Sequence, residues 1–238
     1  MTVWKMNTRI MKKSTDIGSW VLEKNNQFIA FNKPAGIPVQ EDKTGDTSLL
    51  RLAEIYTKKK ILLCNRIDRP ASGIVLFAKN KTALEHINKQ FQFRTIDKTY
   101  LCIVETKPPK DSDSLTNWIE KNGKANKSFI VPEKTARSTE ARLDYKLIGS
   151  SDRYFLLEVQ LHTGKHHQIR CQLAYIGSII KGDVKYGARR SNKDKSIHLH
   201  AWKTTVTHPI SKKKIMLEAP LPVEDSLWSY FKKEVLAD

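Results

Sequence analysis

The chain has 238 residues, 39% of them hydrophobic and 28% charged, which is ordinary for a soluble globular protein able to bury one sizeable core. Lysine and arginine number 42 against 25 acidic residues, a formal net charge of +17. The cations run along the whole chain and not along one amphipathic helix, which points to a nucleic acid and away from a membrane surface.

No apolar run approaches the ~20 residues of a membrane helix. Residues 1–13 lack the apolar centre of a secretory signal, so the cytoplasm is expected. The three cysteines, Cys64, Cys102 and Cys171, are far apart and never in Cys-x-x-Cys, which predicts reduced, packed thiols and no cysteine-based zinc site.

Residues 1–18 read as a basic N-terminal arm and 19–238 as one domain. Strands are predicted at 21–22 and 28–31, meeting at Asn25-Asn26, before Asn32-Lys33-Pro34-Ala35-Gly36-Ile37-Pro38 breaks the pattern. Asp46 or Thr47 is expected to cap a helix carrying Leu49, Leu50, Leu52, Ala53 and Tyr56. Buried strands at 61–64 and 73–78 flank a turn around Asp68, and Leu84, Ile87 and Phe91 give 81–93 a helical spacing. A strand follows at 98–105, and then 107–137 reads as short strands and exposed loops. Alternation marks a long strand over 154–161. A helix over 166–175 ends at Gly177, and strands are expected around 198–207 and 214–218. Strands outnumber helices without regular alternation, so the fold class is α+β with a mixed sheet.

Asp68 stands between Arg66 and Arg69, cations that favour an ionised carboxylate and can also hold phosphate. His162, His166, His167, His198 and His200 invite a zinc reading, but catalytic zinc sites show tighter ligand logic, and no metal is expected. Thr163-Gly164-Lys165 reads instead as a phosphate-contacting helix start. Asp111-Ser112-Asp113 reads as solvated carboxylates in a loop more readily than as a nuclease site.

Five segments in order resemble the RluA-type RNA pseudouridine synthases. They are Phe31-Asn32-Lys33-Pro34-Ala35-Gly36-Ile37-Pro38-Val39, Arg66-Ile67-Asp68-Arg69-Pro70-Ala71-Ser72-Gly73, Lys98-Thr99-Tyr100, His162-Thr163-Gly164-Lys165-His166-His167-Gln168-Ile169-Arg170 and Ile176-Gly177-Ser178-Ile179-Ile180-Lys181-Gly182-Asp183-Val184-Lys185-Tyr186-Gly187. Leu199-His200-Ala201, Thr207-His208-Pro209 and Ala219-Pro220-Leu221-Pro222 extend the likeness over about residues 20–222.

The resemblance implies a mixed, largely antiparallel sheet bisected by an active-site cleft and flanked by helices. It implies isomerisation of uridine in rRNA or tRNA by base flipping, with an aspartate and no cofactor. A monomer acting on a stem-loop is also expected, since residues before 20 are too few for a separate RNA-binding domain. On this likeness Asp68 is the catalytic carboxylate, Arg170 its basic partner, and Tyr100 the ring beside the target base. Arg66, by the same likeness, enters the RNA stack as the base leaves it, and Arg69, Lys33, Lys98, Lys165 and His167 complete the expected RNA contacts. Asn65 and Ile67 depart from the commonest His-Arg-Leu-Asp pattern. Substrate choice is expected in loops 107–137 and 188–196.

Overall fold

In the computed structural model, which describes residues 16–236, eleven strands form one sheet in the order β1-β2-β4-β10-β5-β9-β8-β6-β7. The N-terminal part comprises β1 (Val21–Lys24), β2 (Phe28–Lys33), α1 (Leu49–Thr57), β3 (Leu62–Leu63), β4 (Ser72–Ala78) and α2 (Lys81–Gln92). The C-terminal part comprises β5 (Asp97–Val104), β6 (Ser112–Asn122), β7 (Lys127–Val131), β8 (Thr139–Ser150), β9 (Phe155–Leu161) and α3 (Gln168–Tyr175). It closes with β10 (Leu199–Thr207), β11 (Lys214–Glu218) and α4 (Ser226–Val235). β3 pairs with β4, and β11 with β10.

Each part is a three-layer sandwich because its strands are apolar on both faces. In β2 and β4, Phe28, Ala30, Ile74 and Leu76 pack with Ile87 of α2, while Ile29, Phe31, Val75 and Phe77 pack with Leu49 and Ala53 of α1. In β5 and β9, Cys102, Val104, Leu157 and Val159 pack with Ile169 and Leu173 of α3. Leu101, Ile103 and Leu156, on the opposite face, pack with Trp228 and Phe231 of α4. Burial of such side chains contributes roughly 1.5–3 kcal/mol each before ordering costs.

The halves meet where β10 runs parallel to β4 through His200↔Ser72 and Ala201↔Gly73; the other ladders are antiparallel. At this seam Gly73 has φ +113°, and a Cβ there would stand 2.3 Å from the Ala201 carbonyl oxygen. No side chain fits. His200 ties the seam through Nδ1 to the Ser72 hydroxyl at 2.8 Å and through Nε2 to the Ala219 carbonyl at 3.1 Å.

Several expectations shift. Residues 1–15 of the basic arm lie outside the described residues, whereas Asp16 caps a 3-10 turn, Ile17–Trp20, whose Ile17 and Trp20 pack against the α1 cluster. Ser48, not Asp46 or Thr47, caps α1, accepting from the Arg51 amide at 3.2 Å, because the Asp46 carboxylate is taken by the Arg69 guanidinium. The 107–137 region holds an eleven-residue strand, β6, paired with the unanticipated twelve-residue β8. Helix α4 was also unanticipated; Asp225 caps it with two backbone hydrogen bonds. Among the described residues, no helix is long and apolar enough to cross a membrane.

Candidate active site

The 64–71 loop enters β4 beside the seam and carries Asp68. Its path is set by backbone bonds. The Asn65 side chain accepts from the Leu76 amide at 2.7 Å and donates to the Ile74 carbonyl at 3.4 Å, extending the β3–β4 ladder by one residue. The Ala71 amide closes a turn on the Asp68 carbonyl at 3.1 Å, and the Ile197 amide donates to the Pro70 carbonyl at 3.0 Å. Arg69 and Gly36 bond reciprocally, each at 2.8 Å: the Gly36 amide to the Arg69 carbonyl and Arg69 Nε to the Gly36 carbonyl.

Lys33 takes an unexpected place. Its side chain is fully buried, and Nζ donates to the carbonyls of Pro34 (2.9 Å), Ile37 (2.9 Å) and Arg69 (3.1 Å). Three acceptors use all three ammonium protons. The RNA contact expected of Lys33 is therefore replaced by an internal clamp joining the 34–37 and 65–70 loops. Burial pulls this lysine down to about 7, with the Asp68 charge acting in the opposite direction. Arg69 is likewise committed, to Gly36, Thr44, Asp42 and Asp46, and does not line the cavity described next.

A cavity of about 320 Å³ opens at the seam, its wall shared by Asp68, Tyr100 of β5, and His167 and Arg170 at the start of α3. Arg66, Lys98 and Lys165 also line it, Arg66 and Lys165 being exposed. Phe91, one of the apolar residues at helical spacing in α2, lines it too. Cys64 is in the wall, but burial pushes its thiol up to about 12, so it is packing and not a nucleophile.

Arg170 Nη1 donates to Asp68 Oδ2 at 2.9 Å, while Nε and Nη2 reach Asp183 at 2.6 and 2.8 Å. Burial works against the guanidinium charge, but the bonds to Asp183 and the Asp68 charge outweigh it and hold the group above its ordinary value. His167, only 7% exposed, places Nε2 3.8 Å from Asp68 Oδ2. Burial, then the Arg170 cation and His166, push it down to about 2, so this ring is neutral. Burial, then the Asp68 charge, hold the Tyr100 phenol above its ordinary value. Burial and Arg94 pull Lys98 down to about 8.

Among the described residues, no group of three or more His, Cys, Asp or Glu could hold a metal ion. The other histidines of the expected cluster face separate partners: His162 pairs with Asp144, His166 with Ser128 and Asn126, and His198 with Asp225. Asp111 and Asp113 pair with Lys107 and Lys110. A broader groove of about 1410 Å³ follows the 188–196 loop, lined by Arg189, Arg190, Lys193 and Lys181 together with Asp152 and Asp194.

Sequence reasoning gave Asp183 and Tyr186 no role. A lone acid after glycine carries no local sign of its partner, since Arg170 is 13 residues away across a helix end.

The chain matches the family model described as RNA pseudouridylate synthase over residues 27–175. It is 29% identical over 213 residues to an uncharacterized RNA pseudouridine synthase of Bacillus subtilis, covering 86% of this chain and 69% of that protein. It is 31% identical over 218 residues to the ribosomal large subunit pseudouridine synthase C of Rickettsia felis, covering 90% and 70% respectively. The chain spans about two thirds of the length of the curated relatives it matches. In fold it is similar to human RNA pseudouridylate synthase domain containing 4, with a TM-score of 0.74 at 21% identity over 90% of this chain and 93% of that one.

Proposed function

The chain belongs to the RNA pseudouridylate synthase family, of the RluA type, and we propose that it converts uridine to pseudouridine in RNA with Asp68 as the catalytic carboxylate and no cofactor. The observation that carries this reading is the setting of Asp68. Its carboxylate is 23% exposed in a cavity wall, and the hydrogen bond from Arg170 falls on Oδ2. Among the described residues Oδ1 accepts no hydrogen bond and stays available to substrate.

The reaction breaks the N1–C1′ bond, turns the base and joins C5 to C1′; C5 loses a proton and N1 gains one. Electrons balance without an oxidant or reductant. A carboxylate beside C1′ either adds to it or stabilises the charge that develops as the bond breaks. Arg170 orients that carboxylate through its charge-assisted bond to Oδ2. The target uridine must leave its stack to reach the cavity, at a cost of a few kcal/mol. In this reading Arg66 fills the space it leaves and Lys98 and Lys165 meet backbone phosphate, which the position of all three at the cavity lining supports. Tyr100, kept as a neutral phenol, offers a ring for stacking and a hydrogen-bond donor.

The Rickettsia relative is named for the large ribosomal subunit, which supports rRNA as the substrate class over tRNA. A stem-loop bound by a cytoplasmic monomer completes the reading.

The test is tritium release from RNA carrying 5-tritiated uridine, in chelator, with large-subunit rRNA and tRNA offered separately. Release from the rRNA is expected, because joining C5 to the sugar expels that hydrogen. Tight binding of both RNAs without release would identify an RNA-binding factor that retains this fold.

A further inference from the structure

Arg170 and His167, the two residues of α3 and its entry that reach Asp68, are themselves held by one short segment. Asp183 leads into the 3-10 turn Val184–Tyr186, and its carboxylate, 1% exposed, receives Arg170 Nε at 2.6 Å and Nη2 at 2.8 Å. The Arg170 guanidinium lies 5.0 Å from the centre of the Tyr186 ring. The Tyr186 hydroxyl meets His167 Nδ1 at 3.1 Å, accepts from the Ser128 amide at 2.9 Å, and stands 3.1 Å from the Ser128 carbonyl.

The segment is itself fixed. The amides of Tyr186 and Ala188 both donate to the Asp183 carbonyl at 3.0 Å, and the Asp183 amide donates to Ile180 at 3.0 Å. Gly182, at φ +85°, lets the chain pass where a Cβ would stand 2.7 Å from the Asn192 amide nitrogen.

We propose that Asp183 and Tyr186 are positioning residues: Asp183 occupies the fork of Arg170 so that one guanidinium nitrogen reaches Asp68, and Tyr186 turns a protonated Nε2 of His167 toward the same carboxylate. This rests on reading Asp68 as the catalytic group.

Two physical arguments support it. An unoccupied guanidinium fork takes a carboxylate in two parallel bonds. Without Asp183, Arg170 would be free to take both oxygens of Asp68 and leave none for substrate. With Asp183 in place, Nε and Nη2 are occupied and only Nη1 reaches Asp68, on Oδ2. The tautomer of His167 follows from proton counting. The Tyr186 hydroxyl has one proton, with His167 Nδ1 and the Ser128 carbonyl as rival acceptors. Given to Ser128, it would force the histidine proton onto Nδ1 and leave a lone pair on Nε2 facing Asp68 Oδ2 at 3.8 Å, a repulsive arrangement. Given to Nδ1, it leaves Nε2 protonated toward the carboxylate.

The test pairs single-turnover tritium release with 15N spectra of the folded protein. Asp183→Asn should lower the single-turnover rate about 100-fold, the scale of a misplaced catalytic group, while RNA affinity stays within about threefold. The spectra give a readout independent of activity. A slowly exchanging Arg170 Nε–H signal is expected in wild type and in Asp68→Asn, and is lost in Asp183→Asn. Tyr186→Phe, which keeps the ring under Arg170, covers the case in which Asp183→Asn does not fold. It should cost about tenfold in rate, the scale of one hydrogen bond, and speed the solvent exchange of the His167 Nε2–H as the ring loses its anchor at Nδ1.

Folded Asp183→Asn with a wild-type rate, or Tyr186→Phe with a wild-type rate and unchanged exchange of the His167 Nε2–H, would overturn the proposal. If wild type itself releases no tritium while the Arg170 signal still depends on Asp183, the functional reading fails and the positioning geometry stands.

Discussion

The two sides of the seam hold their functional groups by different means. On the Asp68 side the restraint is backbone: the Lys33 clamp, the reciprocal Arg69–Gly36 bonds and the Asn65 extension of the β3–β4 ladder fix a loop, and the carboxylate at its tip keeps one oxygen open. On the Arg170 side the restraint is side chain: a guanidinium 4% exposed is clasped by Asp183 and placed over Tyr186. A reactive group needs a fixed root and a free end. Its partner needs a fixed end, because a buried cation with an idle donor would be costly and would compete for the carboxylate.

The largest effect should come from breaking the seam that brings the sides together. Gly73→Ala puts a methyl into the Ala201 backbone at a positive φ, and a loss of roughly 3–5 kcal/mol is expected in urea unfolding. Wild-type stability in that variant would mean that the halves are not held at this crossing.

Lys33→Met comes next. It leaves three carbonyls without a donor, and roughly 2–4 kcal/mol should be lost, with Lys33→Arg failing to rescue because a planar fork does not fit a three-carbonyl cage. A variant that melts like wild type but binds RNA weakly would restore the lysine to the RNA surface.

Buried histidine gives the seam a pH dependence. His200 is lowered by burial to about 4, against an ordinary 6.5. Between those values the unfolded chain binds a proton that the folded chain refuses, so stability is fully present above pH 6.5 and falls as the pH drops toward 4. The loss is on the order of 3 kcal/mol. His200→Gln should be less stable at neutral pH and flatter over that range; an unchanged slope would assign the loss to other groups.

The smallest effect separates the mouth of the cavity from its floor. Lys98, lowered to about 8, is charged below that pH and neutral above it, so RNA affinity should fall by roughly threefold to tenfold as pH rises through 8. Lys98→Arg should keep its affinity, as measured by filter binding. Equal losses in both proteins would place the titrating group elsewhere.

The Asp68 side was the more legible in sequence for the same physical reason. Its elements are local: a continuous apolar run marks β4, 3.6-residue spacing marks α2, and an aspartate between two arginines marks the turn. What that reading could not give was direction. Nothing in Asn32-Lys33-Pro34 shows that the ammonium turns inward onto carbonyls 1, 4 and 36 residues away. The Arg170 side depends on partners brought together by tertiary packing. Asp183 and Tyr186 carry no sign of a role in sequence, because the charge balance forms only once α3 and the turn after it are in place. β8, to which the sequence reading assigns no element, does alternate: Ala141, Leu143 and Tyr145 are buried between the charged Arg142, Asp144 and Lys146. Helix α4 has its cap at Asp225 and its anchors at Trp228 and Phe231, too short a stretch for periodicity to stand out.

In the proposed reading the loop side supplies the reacting carboxylate and RNA is held by other groups. Asp68→Asn, titrated with 5-tritiated RNA and assayed for release in the same samples, separates the two roles. Affinity within about threefold of wild type, with release abolished, is the expected result, since the substitution keeps the shape and removes the charge. Retained release would show that the chemistry belongs to another residue.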